Sequence, residues 1–270
     1  MFFRNLTFFR FPASLAPVFA DLDARLEEAR LRPVGPSELS TRGFVSPFGR
    51  DEPTLSHRVG DALWITLGGE ERLLPSAVVN DALGRKITEL EEKEGRKLGG
   101  RARKRLKEDL VLEMLPRAFV RPVRTGASLD LKHGFLAVDS SSRKSAENLV
   151  SELRTALGDE CELRDPVDGG AVVRCTKHEL QNDEIRKHLE AGKQASRLAL
   201  VLDDHVSFVL GEDLVVRKLK FLDGAVDTLE NTERDSLRDE LDARFALQSG
   251  ELHRLFAVLE TALKFSRADA

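Results

Sequence analysis

A chain of 270 residues with 41% hydrophobic content is long enough to bury a substantial core as one elaborate domain or two smaller ones. Its net charge of −4 and pI near 6.0 exclude a protein that is basic all over, and its two cysteines, Cys161 and Cys175, exclude a disulfide framework or a four-thiolate zinc site. No apolar run approaches the roughly 20 residues that span a bilayer, and Arg4 and Arg10 interrupt the apolar start that a signal peptide would need, so a soluble cytoplasmic protein is expected.

FFRNLTFFRF at 2–11 reads as a strand with one buried face, since Phe residues recur between Arg4, Asn5 and Arg10. From 17 to 31 the period changes: Val18, Phe19, Leu22, Leu26 and Ala29 form one stripe of an amphipathic helix, stopped by Pro33, Gly35 and Pro36. A Gly/Pro-punctuated loop is expected over 42–53, a strand over 62–68, and a turn at GGEE (68–71) into a further short strand. Ser76 is expected to cap a helix carrying Val79, Leu83, Ile87 and Leu90, with a break at Gly99-Gly100. A second helix from about Arg101 aligns Leu106, Leu110 and Met114 and closes at Leu115-Pro116. Thin apolar stripes on both predict a hairpin that projects from the body.

Residues 127–139 predict two strands turning at Lys132 to Gly134, and 145–157 a helix with Ala146, Leu149, Val150, Leu153 and Leu157 inward. A strand over AVVRC (171–175), a helix over about 182–190, an antiparallel meander over 196–223 and a helical stretch over 233–264 complete the pattern. The mixed order predicts an α+β fold with mixed or antiparallel sheets, packed helices and pseudo-duplicated strand-helix-strand units. The expected division is a body of 1–75 and 120–232, a helical hairpin of 76–119, and a C-terminal helical segment of 233–270 packed on the body.

No catalytic site is predicted. His178 and His188 stand ten apart, too far to share a helical face as metal ligands, and Asp203, Asp204 and His205 fall where the strand pattern turns. P-loop, GxSxG and GxGxxG patterns are absent, so neither metal nor cofactor is expected. A nuclease with dispersed carboxylates is the distant alternative.

The distinctive feature is RKLGGRARKRLKEDLVLEMLPRAF, 96–119. Seven bases, Arg96, Lys97, Arg101, Arg103, Lys104, Arg105 and Lys107, occur there without an intervening acid. Helical steps of 100° spread them over much of the second helix, and Arg117, Arg121 and Arg124 carry the charge beyond it. A solvated surface is one reading. Segregation favours a polyanion ligand, because Glu89, Glu91, Glu92 and Glu94 precede the bases instead of alternating with them, leaving little in the cluster matched for self-neutralisation. With no Tyr, one Trp and Phe mostly in strands, stacking on single-stranded bases is poorly served, and non-specific contact with a duplex backbone is expected.

FFRNLTFFR, GFVSPFG (43–49), LLPSAVVNDAL (73–83), KITELEEKEGRKL (86–98), LPRAF (115–119), HLEAGK (188–193) with LAL (198–200), and RKLKF (217–221) stand in the order of the RdgC family, which the chain resembles over most of its length. The resemblance implies a ring-shaped homodimer that encircles double-stranded DNA without sequence preference, restrains the RecA recombinase, associates with the nucleoid and has no catalytic activity. It also implies that Arg117 and Phe119 close the ring at one contact, and that Lys177 and His178 contact DNA, with His178 departing from the family's usual amide or basic residue. Without the resemblance, Phe119 after Leu-Pro reads as core. Typical members carry several tens of residues more between Leu157 and Val172, so a peripheral element is expected to be shortened near 158–171. A reading of another class is a protein that inhibits a recombinase by direct contact, its basic hairpin docking an acidic partner.

Overall fold

The structure, a computed structural model, describes residues 2–49, 52–157, 197–230 and 236–263. The strands are β1 (Thr7–Arg10), β2 (Ser40–Val45), β3 (Ser56–Val59), β4 (Ala62–Leu73), β5 (Phe119–Asp130), β6 (Phe135–Val138), β7 (Arg197–Leu202), β8 (Val206–Gly211) and β9 (Val216–Phe221). The α-helices are α1 (Leu22–Glu28), α2 (Ser76–Glu94), α3 (Gly100–Met114), α4 (Arg143–Leu157), α5 (Asp223–Glu230) and α6 (Leu237–Leu263). One sheet runs β1-β6-β5-β4-β2 with β3 paired to β4, and the other is the antiparallel meander β7-β8-β9. This is the α+β architecture with antiparallel pairing that the sequence predicts. Among the described residues no helix is long and apolar enough to cross a membrane.

Internal packing divides the chain into two units: Met1–Arg30, Phe44–Leu67 and Thr125–Ala270 form the first, and Leu31–Gly43 with Gly68–Arg124 the second. In the first unit β1 lies between two apolar clusters. Phe9 and Phe11 pack with Leu22 and Leu26 of α1 and with Ala146, Leu149 and Leu153 of α4. Phe3, Leu6 and Phe8 pack instead with Trp64, Phe208 of β8 and Leu252 and Phe256 of α6. The expected single buried face is therefore corrected, because alternating side chains of β1 enter two different cores. Even Arg10 is only 7% exposed; its guanidinium meets Glu260 Oε1 at 2.8 Å and lies 5.3 Å from the Phe256 ring centroid. A charge in a sheet core needs such a partner, so an arginine was a false sign of a wet face.

Other elements differ in their limits. The helix expected over 17–31 is a 3₁₀ segment, Ala13–Phe19, followed by the short α1. The loop expected over 42–53 yields its first residues to β2, and β3 precedes β4 as its antiparallel partner. No turn interrupts β4 at GGEE: the strand runs from Ala62 through Leu73. Gly69 serves there as the place where backbones approach, since a Cβ on it would lie 3.2 Å from the Thr41 carbonyl oxygen. Ser76 does not cap α2; Pro75 occupies the N-cap and Ser76 is the first helical residue. The inward face of α4 is as expected, with all five named residues buried. The helical stretch over 233–264 is α6, on which Phe245, Leu252, Leu255, Phe256 and Leu259 are buried. The expected AVVRC strand, the helix over 182–190, both cysteines, Lys177 and His178 lie outside the described residues.

Candidate nucleic-acid interface

In the second unit α2 and α3 fold back on one another. The chain leaves α2 one turn earlier than the glycine pair suggests: Gly95, at φ 66°, is the left-handed C-cap, a conformation that costs a residue with a Cβ. Gly99, in extended conformation, then caps α3. Glu91 Oε1 accepts the Leu98 N–H at 2.8 Å and lies 3.0 Å from Arg103 Nη2. Lys86 Nζ reaches Glu113 Oε2 at 3.0 Å, and Lys107 Nζ donates to Asn80 Oδ1 at 3.1 Å. At the other end, Arg72 Nη1 donates to the Leu115 and Ala118 carbonyls at 2.9 and 3.3 Å, and its Nη2 to the Gly35 carbonyl at 3.2 Å. Those bonds tie β4 to the turn that follows α3 and to the loop at Gly35.

Val79, Leu110 and Leu115 are the buried residues of the helices and the 3₁₀ turn that follows them; Leu83, Ile87, Leu90, Leu106 and Met114 are half-buried. The narrow apolar seam leaves the bases outside. Arg96, Lys97, Arg101, Arg103, Lys104, Arg105, Lys107 and Arg117 are all exposed. The expectation that they lack acidic partners is nevertheless corrected. Arg103 pairs with Glu91 at 3.0 Å, Arg96 with Glu94 at 2.9 Å and Lys104 with Glu108 at 4.0 Å. Glu91 returns beside Arg103 when the hairpin closes, while the other two pairs are local in sequence. The Leu98 N–H above all, then Arg103 and the Lys97 charge, hold the Glu91 carboxyl below its ordinary pKa.

Exposed pairs of this kind are screened by water and salt, and are weak enough to be exchanged for a phosphate contact. Lys97, Arg101, Arg105 and Arg117 make no ion pair with a described residue. They are the bases already available to an anion.

The LPRAF element splits between two environments. Leu115 is 1% exposed, whereas Phe119, the first residue of β5, is 84% exposed, with Leu112 and Val120 also open to solvent. The core reading of Phe119 therefore fails within this chain. A Phe ring held almost wholly in water is the kind of group an association buries. The signal for this was weak in sequence, because Leu-Pro at a helix end precedes core and surface residues alike.

Over residues 1–159 and 155–266 the chain matches the sequence model of a family described as "Putative exonuclease, RdgC". The recombination-associated protein RdgC of Xanthomonas axonopodis pv. citri (strain 306) is 58% identical over 303 aligned positions, with the whole of both chains covered. Its counterpart in Stenotrophomonas maltophilia (strain R551-3) is 53% identical, again over the whole of both.

The chain belongs to the RdgC family. Of the 303 positions aligned with these RdgC proteins, 33 hold no residue of this 270-residue chain. The RdgC family match also breaks at 155–159, beside the segment 158–171 expected to be short.

Proposed function

We propose that the protein is a non-enzymatic, non-sequence-specific binder of double-stranded DNA, acting as a ring-like homodimer that restrains RecA-dependent recombination in the nucleoid. The observation that carries this reading is the α2–α3 hairpin. In a chain of net charge −4 it concentrates seven exposed bases between Arg96 and Lys107, and their acidic partners are surface groups that a phosphate can replace. Arg and Lys on phosphates position a protein without reading base edges, which accounts for the absence of sequence preference. Phe119 supports the second part of the proposal. With Arg117 it is assigned to a small contact between copies, one weak enough to open and admit a duplex. The recombination-associated names of the relatives fit the role.

Gel shifts with unrelated duplexes of equal length test the binding. Equal affinities are expected, falling on the order of 10³-fold or more between 50 and 200 mM salt. Replacing Arg101, Arg103, Lys104 and Arg105 together by Glu should abolish the shift. Absence of duplex binding at low salt would overturn the proposal and leave direct docking on a recombinase in its place. Intact duplex after incubation with Mg²⁺ is expected; degradation that follows the protein through purification would make it a nuclease.

A further inference from the structure

We propose that Asp130, His133 and His253 form a binding site for a divalent transition metal ion of the zinc class. The three belong to the first unit: Asp130 ends β5, His133 lies in the turn to β6, and His253 is on α6. Their ligand atoms lie within 4.8 Å of one another. His133 Nδ1 is 2.9 Å from Asp130 Oδ1 and 3.0 Å from Oδ2, and His253 Nδ1 is 3.5 Å from the same Oδ2. Metal–ligand bonds of about 2.0–2.2 Å at tetrahedral angles separate neighbouring donor atoms by about 3.3–3.5 Å. The existing separations bracket that value, so small side-chain rotations suffice to admit the ion.

Two further observations point to a ligand. Among the described residues the buried His253 Nδ1 has no hydrogen-bond partner, a state that costs free energy and that coordination would relieve. The two imidazole rings stand 3.9 Å apart, centroid to centroid, at an interplanar angle of 33°. Coordination uses one nitrogen of each ring, and their proximity lets a single ion bridge the turn and the helix. The carboxylate is already oriented, because Asp130 Oδ1 accepts the backbone N–H groups of Lys132 and His133. Side-chain exposures of 13%, 36% and 40% for Asp130, His133 and His253 leave an entry path and room for a water as fourth ligand.

Two imidazoles with one carboxylate suit Zn²⁺ and its first-row neighbours rather than the oxygen-seeking Mg²⁺ or Ca²⁺. Binding ties the β5–β6 turn to α6. His133 and His253 are 120 positions apart in the sequence, so no spacing motif announces them.

The test uses the full chain carrying Cys161→Ser and Cys175→Ser, which removes thiols as competing ligands. Titration with ZnCl₂, followed by calorimetry, should give one site per chain. The thermal midpoint should rise with ZnCl₂ and not with MgCl₂. Cobalt(II) should acquire the visible absorption of a low-coordinate site. His133→Ala and His253→Ala should each weaken Zn²⁺ binding by more than about tenfold, the least that losing even an outer-shell partner tends to cost. No Zn²⁺ binding, or binding undiminished in His133→Ala, would overturn the assignment. His133 lies on a surface turn, so its variant decides the matter even if His253→Ala fails to fold.

Discussion

Arg103 Nη2 lies 3.0 Å from Glu91 Oε1, which makes the acidic half of the hairpin a competitor for the ligand assigned to the basic half. Glu91→Gln keeps an acceptor for the Leu98 N–H and removes the charge. Duplex affinity should rise, and the slope of log K against log salt should steepen by up to about one counterion, because Arg103 becomes free to meet a phosphate. Arg101→Ala and Arg105→Ala should each flatten that slope by about one, since neither residue has an ion pair with a described residue to give up. Equal affinities for Glu91→Gln and the unmodified protein would show that Arg103 does not face the DNA.

Leu115 and Phe119 should respond in opposite ways although four positions separate them. Leu115→Ala removes a side chain that is 1% exposed, and should lower stability by about 2–5 kcal/mol through lost burial and a residual cavity. Phe119→Ala removes one that is 84% exposed, and should leave the unfolding of the monomer unchanged. Sedimentation and denaturant titration of both variants separate the effects. A dimer unaffected by Phe119→Ala would deny that residue its place at the contact.

A closed ring predicts a topological readout. Complexes formed on circular duplex should survive a salt challenge that strips the protein from linear duplex of the same length, and cutting the circle should release them. Phe119→Ala should abolish the difference while retaining salt-sensitive binding, because the proposal puts closure on Phe119 and the phosphate contacts on the α2–α3 hairpin. Identical retention on circles and linear duplexes would reject encirclement.

Glu38 provides a pH test in the second unit. Arg32, bound through both carboxylate oxygens at 2.7 Å, and then the Gly35 N–H lower the Glu38 pKa from 4.5 to about 2. A depressed carboxylate pKa contributes stability above its unfolded value, and that contribution disappears as pH falls through the folded value. The acid window for Glu38 is therefore from 4.5 down to about 2. Carboxyl chemical shifts should report a midpoint near the lower figure, moving up in Arg32→Ala. A midpoint at 4.5 in the unmodified protein would mean that the pair does not persist in solution.

What was legible in the sequence followed the reach of the forces involved. The inward face of α4 and the β7–β9 meander were readable because each depends on one period sustained over its own length. The continuity of β4 through Gly68 and Gly69 was not. A glycine pair signals a turn locally, and only the approach of Thr41 gives Gly69 another purpose. Arg10 misled for the same reason, its partner Glu260 being 250 positions away. The basic hairpin was conspicuous as composition, but its partial neutralisation was not, since Glu91 and Arg103 meet only once the chain has reversed. Phe119 could be placed at a contact through the family resemblance, whereas its exposure required coordinates.

The seating of β1 between two cores sets a schedule for synthesis. Phe3 donates its backbone N–H to Gln248, and Arg10 of β1 meets Glu260, so this stretch finds its last partner 250 residues further along the chain. At elongation rates of roughly 5–20 residues per second that is about 12–50 s during which a Phe-rich segment waits without a home. The first unit is completed late, and the nascent chain must keep its opening residues from neighbouring chains until α6 arrives.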